Sequence, residues 1–157
     1  MAGHGAPDTR ITPIEQPTKI AIIAAQWHDQ LMTQLVESAK RCAADATVDA
    51  DVVRVPGSFE LPVVAAALAD TYDALVVLGV VIRGGTPHFD YVCQGVTQGI
   101  TQVSVTTATP IGFGVLTCDT EEQAFDRAGG PGAKEDKGYE ATAAALQTLQ
   151  ALRTVKA

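Results

Sequence analysis

Gly84-Gly85-Thr86-Pro87-His88 carries the most pointed chemistry in this sequence, inside the stretch LVVLGVVIRGGTPHFDYV from Leu75 to Val92. Thr is a good helix N-cap and Pro is favoured at the first helical position. Thr86 and Pro87 are therefore expected to open a helix directly after the glycines. A glycine-rich turn feeding a helix N-terminus attracts anions, because unpaired backbone N–H groups and the positive end of the helix dipole point into it. Gly85 and Thr86 would form that cradle. His88 would lie in the first helical turn beside it, where an imidazole can move protons. Asp90 either orients His88 or simply completes the first turn. Arg83 reads as a structural, ion-paired residue.

Three further places offer chemistry. Trp27, the one Trp, sits among polar neighbours after an apolar run. Its plane is suited to stacking a flat heterocycle, and a partly buried packing role is an equal alternative. Ser58-Phe59-Glu60, within Pro56 to Pro62, marks a turn into a helix start. Backbone N–H groups at Ser58 and Phe59 are available to a polar ligand there, and Glu60 complements the helix dipole. Ser58 lacks the GxSxG surroundings of a nucleophile. Arg127, in Asp126-Arg127-Ala128-Gly129, falls at an expected helix end. It either complements the dipole or grips a phosphate through two hydrogen bonds.

Positioning these groups requires a regular scaffold, and the hydrophobic pattern supplies one. Lys19 to Ala25, Asp51 to Val55, Ala74 to Ile82 and Ile111 to Leu116 read as strands. The third is apolar enough to be buried on both faces. Helices are expected from about Gln30 to Ala46, after the Ser58–Pro62 turn through Ala65-Ala66-Ala67 to Ala69, from Pro87 to about Thr106, from an Asp119–Glu122 capping box to near Ala128-Gly129, and from Asp136 or Lys137 to Val155. Strands alternating with helices imply right-handed crossovers and a parallel sheet. The expected architecture is a flavodoxin-like three-layer α/β/α sandwich around four parallel strands. Residues 18–157 form one domain behind a flexible, proline-broken arm, 1–17. Ligands in such sheets bind beyond the strand C-termini. Those ends carry Trp27, Ser58 to Glu60, Gly84 to His88, and Phe113 to Thr117.

Composition removes whole classes of function. Net charge is −7, with no basic stripe for nucleic acid and no cationic cluster for a membrane surface. No apolar run approaches the roughly 18 residues that span a bilayer. The first residues lack the basic and apolar regions of a signal peptide, so a cytoplasmic location is expected. Cys42, Cys93 and Cys118 form no CxxC and are odd in number, which fits a reducing compartment. His4, His28 and His88 show no ligand spacing, so no metal is expected. A nicotinamide fingerprint is absent from Gly79 to Gly84, and no redox cofactor is expected.

GVVIRGGTPHFDYV closely resembles the central motif of the lumazine synthases, and the resemblance runs from about Lys19 to Leu152. Several assignments follow from it alone. Trp27 matches the aromatic that stacks on the pyrimidine ring. Ser58, Phe59 and Glu60 match a PGAFE-type segment that binds the ribityl chain and ring, with Ser58 in place of the commoner small apolar residue. Val80, Val81 and Ile82 fall in the ring-binding segment. Phe113 matches a position reaching the pyrimidine from an adjacent subunit, with core packing in its strand as the rival reading. His88 matches the proton-transfer histidine. Gly85, Thr86 and Arg127 match the phosphate site, and Lys137 resembles its second basic residue.

The resemblance implies condensation of 5-amino-6-(D-ribitylamino)uracil with 3,4-dihydroxy-2-butanone 4-phosphate. It also implies a homo-pentamer, in some members assembled twelve-fold into a 60-subunit shell, with sites shared between neighbours. The long Gly129–Asp136 loop favours a free pentamer. The rival readings are a flavodoxin-like flavin carrier and a scaffold with a decayed site.

Overall fold

The computed structural model describes residues 4–157. Four strands form one parallel sheet: β1 Lys19–Ala25, β2 Asp49–Val55, β3 Ala74–Ile82 and β4 Ile111–Cys118. Their order is β2-β1-β3-β4. Five helices connect and cover them: α1 Asp29–Asp45, α2 Leu61–Leu68, α3 His88–Thr107, α4 Glu121–Phe125 and α5 Lys137–Lys156, with a 3₁₀ turn, Ser58–Glu60, leading into α2. The α/β sandwich and the flavodoxin-like strand order expected from the sequence are both present.

Alternation along each strand divides the core in two. Ile20, Ile22, Ala24, Val76 and Leu78 point to one face, where α1 and α5 bury Leu31, Met32, Leu35 and Leu146. Ala21, Ile23, Leu75 and Val77 point to the other, where α2 and α3 bring Leu61, Ala65, Val96 and Ile100. Helices on both faces are why the β1 and β3 runs contain so little polar residue. Small residues let the layers close. A Cβ on Gly112 would strike the Ala141 carbonyl, and one on Gly138 would strike the Leu35 carbonyl. α5 thereby approaches β4 and α1 backbone to backbone.

β1 and β3 have the bounds read from their apolar runs. Several other boundaries differ. β2 starts two residues early, at Asp49, because parallel pairing with β1 continues through Lys19↔Asp49. β4 extends two residues further, to Cys118, paired with Ile82. The expected Asp119–Glu122 capping box is replaced by Thr120, which accepts from Gln123 N, while Gln123 Oε1 accepts from Asp119 N. α4 ends at Phe125, short of Ala128. The chain from Asp126 onward turns to pair with its own return: Glu135 N donates to Asp126 O and Lys137 N to Arg127 O, both at 2.9 Å. At α3, Pro87 occupies the cap position with helical dihedrals, so His88 is the first helical residue. Thr86 Oγ1 accepts only a long 3.4 Å bond from His88 N. Ile14, ahead of β1, is buried, and its N–H donates to Ala46 O.

Candidate active site

Beyond the C-terminal ends of β1, β2 and β3 lies a cleft of about 700 Å³. Each wall follows from local structure. β1 ends at Ala25, and Gln26 N still reaches Pro56 O at 3.4 Å. The Arg54 guanidinium donates to Ala24 O and Ala25 O, tying the ends of β1 and β2 together. Trp27 therefore emerges beside the Pro56–Gly57 turn, and it is 69% exposed. A Cβ on Gly57 would come within 3.1 Å of a Glu60 carboxylate oxygen and 3.4 Å of Trp27 Cδ1. That near-contact puts the plate and the carboxylate side by side.

The 3₁₀ turn presents Ser58, Phe59 and Glu60 to the same cleft. Ser58 is buried against Gly79, where a Cβ would collide with its Oγ. One edge of Phe59 rests on Gly95 of α3, and the rest of the ring is in solvent. Val80, Val81 and Ile82 form the floor, and His88 stands on the opposite wall at the start of α3. Gly85 and Thr86 lie in the exposed turn between the floor and His88. Neither Gly84 nor Gly85 has a positive φ. A Cβ on either would meet nothing within 4 Å. Within one chain, then, a side chain at Gly85 is neither strained nor crowded.

Arg83 is held away from the cleft's chemistry. Its Nε donates to Asp119 at 2.8 Å, its Nη1 reaches Asp90 at 3.3 Å, and its guanidinium lies 4.3 Å from the centroid of the Phe89 ring. Asp90 is thereby an arginine partner at the helix start.

Phe113, Arg127 and Lys137 line a second cleft of about 520 Å³, against β4 and α5. Phe113 is 42% exposed, so it is not a core residue of its strand. One Arg127 nitrogen donates to Gln123 O at 2.8 Å, which uses part of the guanidinium to cap α4. The return of the 129–136 loop sets Lys137 next to Arg127 through their backbone bond. The Lys137 ammonium is paired at 2.6 Å with both Glu135 and Glu140. Burial pulls its pKa down, but the hydrogen bonds to Glu135 and Glu140 outweigh that and hold the ammonium above its usual range. Glu135 is correspondingly held below the usual carboxylate range, first by its Lys137 hydrogen bond and then, against burial, by nearby positive charge. Lys137 is therefore already neutralised, whereas among the described residues Arg127 has no carboxylate partner. Burial also pushes the Cys118 thiol up, partly offset by Arg127.

Apart from Gly85 and Thr86, which line neither cleft, the site residues read from the sequence fall into two groups. Trp27, Ser58 to Glu60, Val80 to Ile82 and His88 line one cleft. Phe113, Arg127 and Lys137 line the other. Sequence reasoning missed His28, Gly57, Tyr91 and Val92, which also line the first cleft. Tyr91 was legible in principle, being one helical turn after His88. Among the described residues no three His, Cys, Asp or Glu side chains gather as a metal site would require, and no helix is long and apolar enough to cross a membrane.

The sequence was compared with known proteins. Residues 17–153 match the family model described as 6,7-dimethyl-8-ribityllumazine synthase. A 6,7-dimethyl-8-ribityllumazine synthase of Pseudarthrobacter chlorophenolicus is 60% identical over 158 residues, covering 98% of each chain. One of Streptomyces coelicolor is 60% identical, covering 99% of this chain and 97% of its own. One of Cutibacterium acnes is 64% identical over 140 residues, covering 88% of this chain and 84% of its own. The motif at the head of α3, the parallel sheet that carries it and these full-length similarities agree: the chain belongs to the 6,7-dimethyl-8-ribityllumazine synthase family.

Proposed function

We propose that the chain condenses 5-amino-6-(D-ribitylamino)uracil with 3,4-dihydroxy-2-butanone 4-phosphate to 6,7-dimethyl-8-ribityllumazine, releasing phosphate and water, the penultimate step of riboflavin biosynthesis. The observation that carries this reading is the first cleft, which is lined by both an exposed indole plate and an imidazole three residues beyond a pair of glycines. Trp27 stacks the pyrimidine ring. The Ser58–Glu60 turn and the Val80–Ile82 floor hold the ring and the ribityl chain. Gly85, Thr86 and Arg127 hold the phosphate, with Lys137 a secondary positive group whose charge is shared with two carboxylates.

The amine attacks the ketone and a first water is expelled to give an imine. Phosphate leaves, and the second nitrogen closes the ring with loss of a second water. His88 carries protons between these steps, a role generally worth ~10²–10⁴ in rate. Holding two substrates in register contributes more than any one side chain. The sequence of steps has no net redox change, so it calls for no redox cofactor.

A site assembled from two copies accounts for the division into two clefts: one subunit supplies Trp27 to His88, and its neighbour supplies Phe113, Arg127 and Lys137. Val63 on α2 and Tyr91 and Val105 on α3 leave large apolar surface in solvent on one side of the subunit, which supports burial against another copy. The expected assembly is a free homo-pentamer, and light scattering that returned a megadalton particle would replace it with the shell. Three free thiols support a reducing, cytoplasmic setting. The reading is tested by mixing the purified protein with both substrates and following lumazine absorbance and phosphate release. A flavin carrier would bind flavin tightly and form neither product.

A further inference from the structure

The loop after Arg127 folds back on itself. Gly129 N donates to Glu135 O at 3.1 Å, Lys137 N donates to Arg127 O at 2.9 Å, and Ala128 and Asp136 form an antiparallel bridge. The backbone that carries Arg127 is thereby joined to the backbone that opens α5. A hairpin of this kind has to be set against the rest of the subunit, and α1 does so through one carboxylate.

Three segments meet at Asp136. Its Oδ1 accepts from Tyr139 N at 3.1 Å, which caps α5. Its Oδ2 accepts from the Arg41 guanidinium of α1. The same carboxyl lies over Gly129, where φ is 78° and an added Cβ would collide with it. Only glycine takes that position without both strain and a clash. The Arg41 guanidinium also lies 5.5 Å from the centroid of the Tyr139 ring, whose hydroxyl donates to Asp45 at 2.8 Å. Gln34, two helical turns before Arg41 on α1, fills the space that a Cβ on Gly130 would need. One face of α1 thus holds the hairpin at Gly130 and at Asp136. Neither Arg41 nor Asp136 lines either cleft. Arg127 does, and its side chain is directed by a single described bond, to Gln123 O. Its placement therefore depends on the backbone that Asp136 pins.

We infer that Asp136 is a positioning residue for the Arg127 phosphate grip, with Arg41 as its anchor on α1. This deepens the proposed reaction and rests on it. The pair is partly in solvent, with 53% of the Arg41 side chain and 27% of the Asp136 side chain exposed, so its loss should loosen the hairpin without unfolding the chain. The test varies each substrate in turn for the assembled enzyme and for Arg41→Ala, Asp136→Asn and Asp136→Ala. Asn keeps a cap on α5 and gives up the charge pair, whereas Ala gives up both. Lys40→Ala breaks an ion pair within α1 and serves as the control.

Arg41→Ala and Asp136→Asn should each raise the KM for the phosphate ketone about two- to fivefold, the size of one partly exposed ion pair, with kcat and the KM for the pyrimidine nearly unchanged. Asp136→Ala should raise it further. Arg41→Ala combined with Asp136→Asn should be no worse than either alone, because both remove the same contact. Lys40→Ala should move neither KM. A lowered Tm with both KM values intact, equal rises for the two substrates, or a rise in Lys40→Ala as large as in Arg41→Ala would each overturn the assignment. Calorimetric titration with the phosphate ketone alone gives a Kd independent of turnover. A wild type without product would sink the reaction, while a ketone Kd equal in wild type and Arg41→Ala would sink the role of Asp136.

Discussion

His88→Ala should remain soluble and folded, because His88 is exposed and bonded through its backbone alone among the described contacts. Its kcat should fall by about 10²–10⁴, the usual contribution of a positioned proton carrier, with residual turnover left by substrate positioning. A variant with full wild-type kcat in a steady-state assay would remove His88 from the mechanism. Arg127→Ala should act differently. The expected outcome is a raised KM for the phosphate ketone with little change for the pyrimidine, measured by varying each substrate in turn. Trp27 and His88 stood out in the sequence because their types are uncommon in their settings: one Trp after an apolar strand, one His after two glycines. His28 was not legible. Nothing in Gln26-Trp27-His28-Asp29 announces the left-handed backbone that His28 adopts, with φ 61°. Lys137 lies beside Arg127 through the loop return, and of its two carboxylate partners Glu140 is an i,i+3 neighbour on α5 while Glu135 is delivered by the end of that loop.

Among the elements, β1 and β3 were readable to the residue because a strand buried on both faces is written as an uninterrupted apolar run. α4 was not, since its end depends on Asp126 to Ala128 leaving the helix to pair with the returning chain. The glycine seams were equally silent in sequence. Gly112 permits α5 to lie on β4, and the added methyl of Gly112→Ala would meet the Ala141 carbonyl. That overpacking should cost about 1–3 kcal/mol, read as a lowered midpoint in urea with an unchanged slope. At the head of α5, pH gives a second readout. Glu135 titrates below its unfolded value, so its contribution is present above about pH 4.3 and is lost as pH falls through the lowered folded value. Lys137 titrates above its unfolded value, so its contribution is present below about pH 10.4 and is lost as pH rises through the raised one. Glu135→Gln should therefore flatten the fall of Tm on the acid side, followed by thermal melts from neutral pH downward.

For the whole molecule, the two clefts give a prediction about mixing. His88→Ala and Arg127→Ala each spoil a different half of the site proposed between neighbours. Unfolded together and reassembled in equal amounts, the two variants should regain activity at about one interface in four, the share joining an intact imidazole to an intact guanidinium. A mixture no more active than the average of its parents would place both groups within one chain. The α/β/α architecture was legible from the alternation of elements alone. The proposed division of the site came from the family resemblance alone, because it is a matter of which sides of the sheet face one another once copies meet. That division also makes catalysis subject to mass action. An enzyme whose reacting centre resides in one chain keeps its specific activity on dilution. On the proposed two-copy site a lone subunit holds His88 and Arg127 in separate clefts, so turnover per chain should decline as the protein is diluted below the dissociation constant of its assembly, and recover on reconcentration.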